Sequence, residues 1–323
     1  MRVLVTGGTG FIGYHLIKKL LEKNWKVKCL VRETSIIPEE YVGKIEFITG
    51  DLTSRESLSG IADNVDMIFH LAGMIKADNL DAYKKVNTGG TKNLLDSIPA
   101  DSRDRKIVFV SSMAAVGPAD SKKPLSEDNM ASPVSNYGRS KYLAEQAVSN
   151  SNLKYAIVRP AAVYGPGDEE TLSFFQLAAK HVNPRIGFKK RYLSMIHVSD
   201  LIDLILKAAL AEKNQEIYHA ADRNSGYSWQ EIISTAAKNI NSWTLPVYIP
   251  KIILKTAAFV STMYARISGN TSIFNLDKYN EMKQQYWLIS SQKAREQLNY
   301  RPKYDLHKGF AETANWYQDQ GWL

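Results

Sequence analysis

An α/β fold, with a doubly wound parallel sheet and a smaller, mainly helical C-terminal lobe, is what the sequence predicts, on three observations. Short apolar runs rich in β-branched residues alternate with longer helical patterns through the first half, the signal of repeated βαβ units. The chain opens on a strand pattern that runs straight into glycines and then into a helix pattern. From about Gly165 onward helical patterns dominate and strands become short and scattered.

Strands are predicted over residues 2–6, 26–31, 45–49, 67–71, 107–111 and 155–159. Between the first two, Phe11, Ile12, Leu16, Leu20 and Leu21 recur at helical spacing and give an amphipathic helix able to cover the sheet. Further helices at 82–96 and 137–149 precede strands five and six. A sheet wound this way takes its ligand outside the carboxyl ends of the strands. Residues 1–165 are therefore expected to form a ligand-binding domain, to which later segments return. Residues 166–323 are expected to form a substrate-binding lobe from helical pieces at 169–181, 199–211, 228–239 and 307–318.

The opening turn, Thr6-Gly7-Gly8-Thr9-Gly10-Phe11-Ile12-Gly13, has the form of a dinucleotide cradle of the Rossmann type. Gly7 permits the tight turn, Gly10 lets the backbone approach a pyrophosphate, and Gly13 lets helix and strand pack closely. An acid at the end of the second strand would bind the ribose 2′-hydroxyl of NAD, but Val31-Arg32 stands there. Arg32 offers a planar cationic fork to a 2′-phosphate, so NADP is favoured over NAD. The alternatives are that Arg32 stacks on adenine or faces solvent. Asp51, after the third strand, is placed either to accept from the adenine amino group or to cap its own turn.

The formal charge of +8 is compatible with nucleic acid, an anionic surface or a phosphorylated ligand. The basic clusters Lys18-Lys19, Lys122-Lys123 and Lys189-Lys190-Arg191 are scattered and lack interleaved aromatics, so solvated faces are expected rather than a nucleic-acid surface. Only 189–191 is kept open for a phosphate. The single cysteine, Cys29, allows no intramolecular disulfide and no thiolate metal cluster, and no metal is expected. Met1 runs directly into a strand pattern rather than an apolar targeting segment, giving a cytoplasmic location as the expectation. The longest apolar stretch, 249–265, is broken by Pro250, Lys251 and Lys255, and falls short of the roughly 20 residues a membrane span needs. It reads as a buried or lid helix.

Tyr137 and Lys141 lie four residues apart, on one face of a predicted helix. A nearby cation stabilises phenolate, which lets a tyrosine exchange a proton far below its free pKa of about 10. Ser112, at the end of strand five, brings a hydroxyl to the sheet edge where substrates bind, and can polarise a carbonyl or cap the following turn.

Together with Asp51-Leu52, His70-Leu71-Ala72-Gly73, Asn87 before Gly90-Thr91, Arg159-Pro160 and Val163-Tyr164-Gly165-Pro166, these motifs resemble the extended short-chain dehydrogenases/reductases of the NAD-dependent epimerase/dehydratase superfamily. The 3β-hydroxysteroid dehydrogenase and dihydroflavonol reductase-like branch is the nearest in pattern. The resemblance implies Tyr137 as general acid/base, Lys141 as holder of the nicotinamide ribose, and Ser112 as the group orienting the substrate oxygen. It places Gly7, Gly10, Phe11, Ile12, Gly13, Asp51, Leu52, Leu71, Ala72, Gly73 and Asn87 along the cofactor, with Pro160 and Val163 near the nicotinamide amide. His70 would be structural, and the helices at 82–96 and 137–149 would build a homodimer. Gly73, where the family often has alanine, and Arg32 are its departures.

The implied activity is hydride transfer between NAD(P) and a carbonyl or secondary alcohol of a small-molecule substrate. Met113-Ala114 stands where a sugar dehydratase carries Asp-Glu, which disfavours dehydration. Nucleotide-sugar epimerisation is the alternative, with Arg185, Lys189 and Arg191 as diphosphate partners. A non-catalytic dinucleotide-binding protein would not need Ser112, Tyr137 and Lys141 together. Phe259, Met263 and Tyr264, within 248–267, either roof an apolar substrate or belong to the core.

Overall fold

The structure, a computed structural model, describes residues 1–99, 104–268 and 275–323, with 264–268 as backbone alone. The first half runs β1 (Arg2–Thr6), α1 (Phe11–Glu22), β2 (Lys26–Val31), β3 (Glu46–Thr49), β4 (Met67–His70), α2 (Leu80–Tyr83), α3 (Gly90–Asp96), β5 (Lys106–Val110), α4 (Met113–Val116), α5 (Asn136–Ser149) and β6 (Lys154–Pro160). There follow β7 (Ala162–Tyr164), α6 (Leu172–Ala179), β8 (Val182–Ile186), β9 (Tyr192–Leu193), β10 (Met195–His197), α7 (Val198–Leu210), β11 (Glu216–Ala220) and β12 (Tyr227–Ser228). The chain ends with α8 (Trp229–Asn239), β13 (Leu245–Ile249), α9 (Lys251–Ser268), α10 (Leu276–Met282), β14 (Tyr286–Trp287), α11 (Gln292–Gln297) and α12 (Leu306–Asp319).

Seven strands form the main sheet in the order β11-β6-β5-β4-β1-β2-β3. From β3 to β6 the neighbours pair parallel, with β1 between β2 and β4 (Val5↔Cys29 and Val5↔Phe69). Strand order reverses between β1 and β4, which is the switch point where a doubly wound sheet opens a crevice. Val3, Leu4 and Val5 are fully buried, as expected of a parallel strand covered on both faces. The six predicted strands are all present, displaced by one residue at most at either end. The predicted helix at 82–96 proves to be α2, a π-helical stretch Lys84–Gly89, and α3 in unbroken succession.

Close packing of α1 on β1 depends on glycine. A Cβ at Gly13 would collide with the Gly7 carbonyl oxygen and lie 2.7 Å from Gly8 Cα. Gly8 is equally constrained, since a Cβ there would stand 2.5 Å from the Cys29 sulfur and 2.6 Å from Ile17 Cδ1. Cys29 is thus a packing residue, and burial pushes its thiol up to about 11.

Two compact units divide the chain. The first comprises Met1–Ala115, Asn136–Arg159 and Ile202–Tyr218. Its core joins Leu4, Ile68, Ile107, Phe109 and Ile157 of the sheet to Leu94, Ala144 and Val148 of the helices. Most of α7, predicted as part of the later lobe, belongs here, and Lys106 Nζ donates to the carbonyls of Ala211 (2.8 Å) and Lys213 (3.1 Å).

The second unit comprises Val116–Ser135, Pro160–Leu201 and His219–Leu323. Its segment 116–135 is held by the tail, Ala119 N donating to Tyr286 O (2.8 Å) and Leu125 N to Leu288 O (2.9 Å). α8 starts from a capping box in which Ser228 Oγ accepts from Glu231 N (3.1 Å) and Glu231 accepts from Ser228 N (3.4 Å). The core gathers Tyr164, Phe175, Ile232, Phe310 and Tyr317. Of the two readings of 249–265, a buried or a lid helix, the buried one is corrected: α9 turns Ile252, Ile253, Phe259 and Val260 to solvent. On its inward side Ala258 is fully buried and Leu254, Ser261 and Thr262 are half-buried.

Gly309 shows how tightly α12 meets this core, since a Cβ there would collide with the Tyr164 hydroxyl and lie 2.6 Å from Tyr164 Cε2. Gly309→Ala is expected to destabilise the protein by about 1 to 3 kcal/mol through overpacking, read as a lowered urea midpoint at unchanged slope. An unchanged midpoint would show that α12 can shift without cost.

Candidate active site

The crevice begins at the β1–α1 turn. Gly7 has φ +76°, and a Cβ on it would lie 2.6 Å from Ala72 N, so the turn presses against Leu71-Ala72 at the end of β4. Gly10 is open by contrast: a Cβ there would meet only the Gly7 oxygen, at 3.5 Å. Gly10 is also the N-cap of α1 and supplies no side-chain acceptor, Phe11, Ile12 and Gly13 follow it, and the first turn holds no acid. A bare helix N-terminus beside an open glycine suits a pyrophosphate, and the residues present fit a dinucleotide.

Arg32, directly after β2, is exposed and starts a turn in which its N–H donates to Ser35 Oγ (3.0 Å). Asp51 Oδ1 accepts from Thr53 N (2.7 Å) and Thr53 Oγ1 (2.8 Å), and these bonds, with the charges of Arg32 and Lys85 adding, hold its carboxyl below the usual range. The turn role foreseen for Asp51 is therefore realised on one oxygen. Leu52 is buried, 2.9 Å from where a Cβ on Gly90 would stand, and so acts as packing under α3.

Ser111 and Ser112 leave β5 in opposite roles. Ser112 is half-buried and its Oγ accepts from Ala114 N (3.1 Å), capping α4 while keeping its own proton to donate. Ser111 is buried and donates to Glu145 Oε1 at 2.5 Å.

α5 carries Tyr137 and Lys141 on one face. Tyr137 is half-buried, its ring 6.0 Å from that of Tyr83. Lys141 is buried, and its Nζ donates to the Val110 carbonyl (2.8 Å) from over the Phe109 ring, 4.2 Å from the centroid. Burial pushes its ammonium down to about 8, against the opposing charge of Glu145.

Asn87 sits in the widened π-helical turn and bonds on both sides of its amide. Oδ1 accepts from Met74 N (2.7 Å), while Nδ2 donates to Met74 O (3.0 Å) and Ser140 Oγ (2.8 Å). Ser140 passes its own proton to the Tyr137 carbonyl (2.7 Å). A Cβ on Gly73 would lie 3.2 Å from Asn87 Oδ1 and 3.7 Å from Lys141 Nζ, so glycine there leaves room beside the lysine. His70 is buried between Thr6 Oγ1 (2.7 Å) and Thr91 Oγ1 (2.9 Å). Thr91 spends its proton on the Asn87 carbonyl (2.6 Å), which puts the histidine proton on Nε2. Burial, aided by the Lys141 charge, pushes His70 down to about 3, so it is neutral and structural.

Sequence reasoning missed one part of this arrangement. Arg159 grips Glu145 through Nε–Oε1 (2.9 Å) and Nη2–Oε2 (2.7 Å), both side chains being buried. The signal was available only as Glu145 one turn beyond Lys141 on the same helix face.

Pro160 ends β6 and Val163 lies in β7 opposite Ile196; both fall in the second unit. The same unit has a cavity of about 330 Å³ whose lining includes Arg185, Lys189 and Lys190. Arg191, expected to hold a diphosphate, is instead buried and donates to the carbonyls of Ile186 and Met282. Phe259 and Met263 are exposed, so neither is core, and the Tyr264 side chain lies outside the described residues. No helix among the described residues is long and apolar enough to cross a membrane.

A model of the NAD dependent epimerase/dehydratase family matches residues 3–236. Ceramide reductase of Caulobacter vibrioides is 32% identical over 322 residues, covering 99% of this chain and 96% of the relative. Sterol-4-alpha-carboxylate 3-dehydrogenase (decarboxylating) of Candida albicans is 28% identical over 351 residues, covering 97% of each. The UDP-glucose 4-epimerase complex with NAD from Thermus thermophilus has the same fold, with TM-score 0.77 at 21% identity over 98% of this chain and 99% of that one. By the family match over residues 3–236 and its relation to ceramide reductase over nearly its whole length, this chain belongs to the NAD dependent epimerase/dehydratase family of extended short-chain dehydrogenases/reductases.

Proposed function

We propose that this protein is an NAD(P)-dependent reductase that converts a ketone on a ceramide-like lipid to a secondary alcohol. The observation that carries the reading is the buried Lys141 ammonium one helical turn from Tyr137, on the helix that follows the Ser112 hydroxyl. The relation to ceramide reductase over nearly the whole chain supports the substrate class. A dinucleotide bound on the β1–α1 turn would supply hydride for the carbonyl carbon. Ser112 donates a hydrogen bond to the carbonyl oxygen, and Tyr137 gives that oxygen its proton as the C=O double bond becomes a C–O single bond. Lys141 favours the phenolate left behind and orients the nicotinamide ribose. Asn87 and Ser140 hold α5 in register with the loop at Met74. Arg32, with Ser35 in the same turn, receives the 2′-phosphate of NADP. A homodimer through the helices at 82–96 and 137–149, in the cytoplasm, belongs to the same reading.

Nucleotide-sugar epimerisation is the second reading, favoured by the cavity with Arg185, Lys189 and Lys190. Tightly held NAD on native mass spectrometry of the purified protein supports the epimerase, and exchangeable NADP supports the reductase.

Tyr137→Phe keeps the ring and removes the proton, so turnover of a ketone-bearing ceramide should fall by about 10² to 10⁴ while dinucleotide affinity persists. Near-normal turnover would reduce α5 to a scaffold. With Lys141 at about 8, the cation disappears as pH rises through that value, and kcat/KM for reduction should decline above about pH 8. Lys141→Arg keeps the charge and should move that limb upward, whatever its absolute rate; an unmoved limb would assign it to another group. Arg32→Ala should weaken NADP by about 1.5 to 3 kcal/mol and leave NAD almost unchanged in calorimetric titration. Equal losses for both would mean that Arg32 contacts adenine.

A further inference from the structure

The second unit presents an apolar face that its own fold leaves uncovered. α9 is amphipathic in the inverted sense. Ala258 is 0% exposed and Leu254, Ser261 and Thr262 are half-buried, which marks the inner side at helical spacing. The wider apolar side faces out: Ile252 is 68% exposed, Ile253 58%, Phe259 53% and Val260 59%. The face continues into the loop after β8, where Phe188 is 97% exposed and its ring lies 6.0 Å from that of Tyr248 in β13. A Cβ on Gly187 would be 3.7 Å from Lys251 Cε, so this loop adjoins the start of α9.

The elements that make the face carry charge of one sign, while α10, which packs on α9, brings Asp277 and Glu281. Segments 171–199 and 232–276, which contain β8, its loop, β13 and α9, carry nine lysines and arginines and no aspartate or glutamate, against an excess of +8 for the whole chain. Lys189, Lys190, Lys251 and Lys255 are all exposed beside the apolar side chains. Scattered exposed hydrophobics need no explanation, whereas a contiguous set on one helix side and one adjoining loop does.

We propose that α9 and the Phe188 loop form a docking face for an anionic phospholipid bilayer, with the helix lying in the interface plane. Phe188, Ile252, Phe259 and Val260 enter the acyl boundary, and the four lysines reach the phosphate layer. Charge complementarity selects a bilayer over a second copy of the chain, because two such faces would set their lysines against each other. The spacing of apolar and basic groups suits a membrane without a span, in keeping with an 18-residue helix that carries lysines on its exposed side. This face stands independently of the reductase reading, and its test requires no turnover.

The purified full-length protein is mixed with sucrose-loaded vesicles of phosphatidylcholine containing about 30% phosphatidylglycerol, or of phosphatidylcholine alone, and sedimented. The protein should partition to the anionic vesicles at least about tenfold better, and about 0.5 M salt should remove most of that preference. Phe188→Asp/Phe259→Asp should weaken partitioning by about tenfold or more, and Lys251→Glu/Lys255→Glu should abolish the anionic preference. Circular dichroism and NAD(P) affinity report whether each variant is folded. Absence of wild-type partitioning, or equal partitioning of folded Phe188→Asp/Phe259→Asp, overturns the proposal. So does a wild-type dimer that becomes monomeric in that variant, which would assign the face to self-association.

Discussion

A buried ammonium governs the geometry of the first unit. Taking a lysine out of water is costly unless its protons find acceptors, and Lys141 meets that demand with the Val110 carbonyl, the Phe109 ring face and the charge of Glu145 farther along α5. Each of these partners fixes something else. Val110 is the last residue of β5, so the lysine ties α5 to the carboxyl edge of the sheet. Glu145 is clasped in turn by Arg159 of β6 and by Ser111, which leaves the neighbouring Ser112 as the hydroxyl of that edge. From the other side Asn87 holds Ser140, and Ser140 holds the Tyr137 carbonyl. The tyrosine is thus placed by backbone, through bonds that its own side chain does not need.

Local patterns carried much of this into the sequence, and long-range pairings did not. The β1–α1 turn is legible because each glycine meets a separate steric demand within a few residues, and the strands are legible because parallel strands buried on both faces read as continuous apolar runs. The pair at 137 and 141 follows from the helical repeat alone. Asn87 was visible as a motif residue, but its bonds depend on the π-helical widening of 84–89, which no periodicity announces. The Arg159–Glu145 clasp joins a strand to a helix, and the position of Glu145 one turn beyond Lys141 says nothing of the strand residue it pairs with. Arg191 looked like one more member of a basic cluster, yet it bonds to backbone carbonyls and leaves Lys189 and Lys190 exposed.

α9 exposes a different limit. Apolar composition is ordinarily evidence of burial, because transfer of such side chains from water is favourable. Composition does not say what the solvent is. Over its described side chains the helix meets the protein through Leu254, Ala258, Ser261 and Thr262 and keeps Ile252, Ile253, Phe259 and Val260 exposed, with Lys251 and Lys255 at their flank. Ser112, Tyr137 and Lys141 fall in or beside the first unit's sheet edge, whereas α9 and the Phe188 loop belong to the second unit.

The return of residues 202–218 to the first unit has a consequence for how the chain is made. On the ribosome β6 emerges before β11, its neighbour at the sheet edge, and for a few seconds at ordinary elongation rates that edge is an open template for another chain. Over the same interval Lys106 waits without the carbonyls of Ala211 and Lys213. A nascent chain halted near residue 165 would therefore hold every glycine of the cradle and both Tyr137 and Lys141, yet remain adhesive along one side. Completion of the sheet therefore comes after completion of the cradle in the order of synthesis, and it closes the exposed edge of β6.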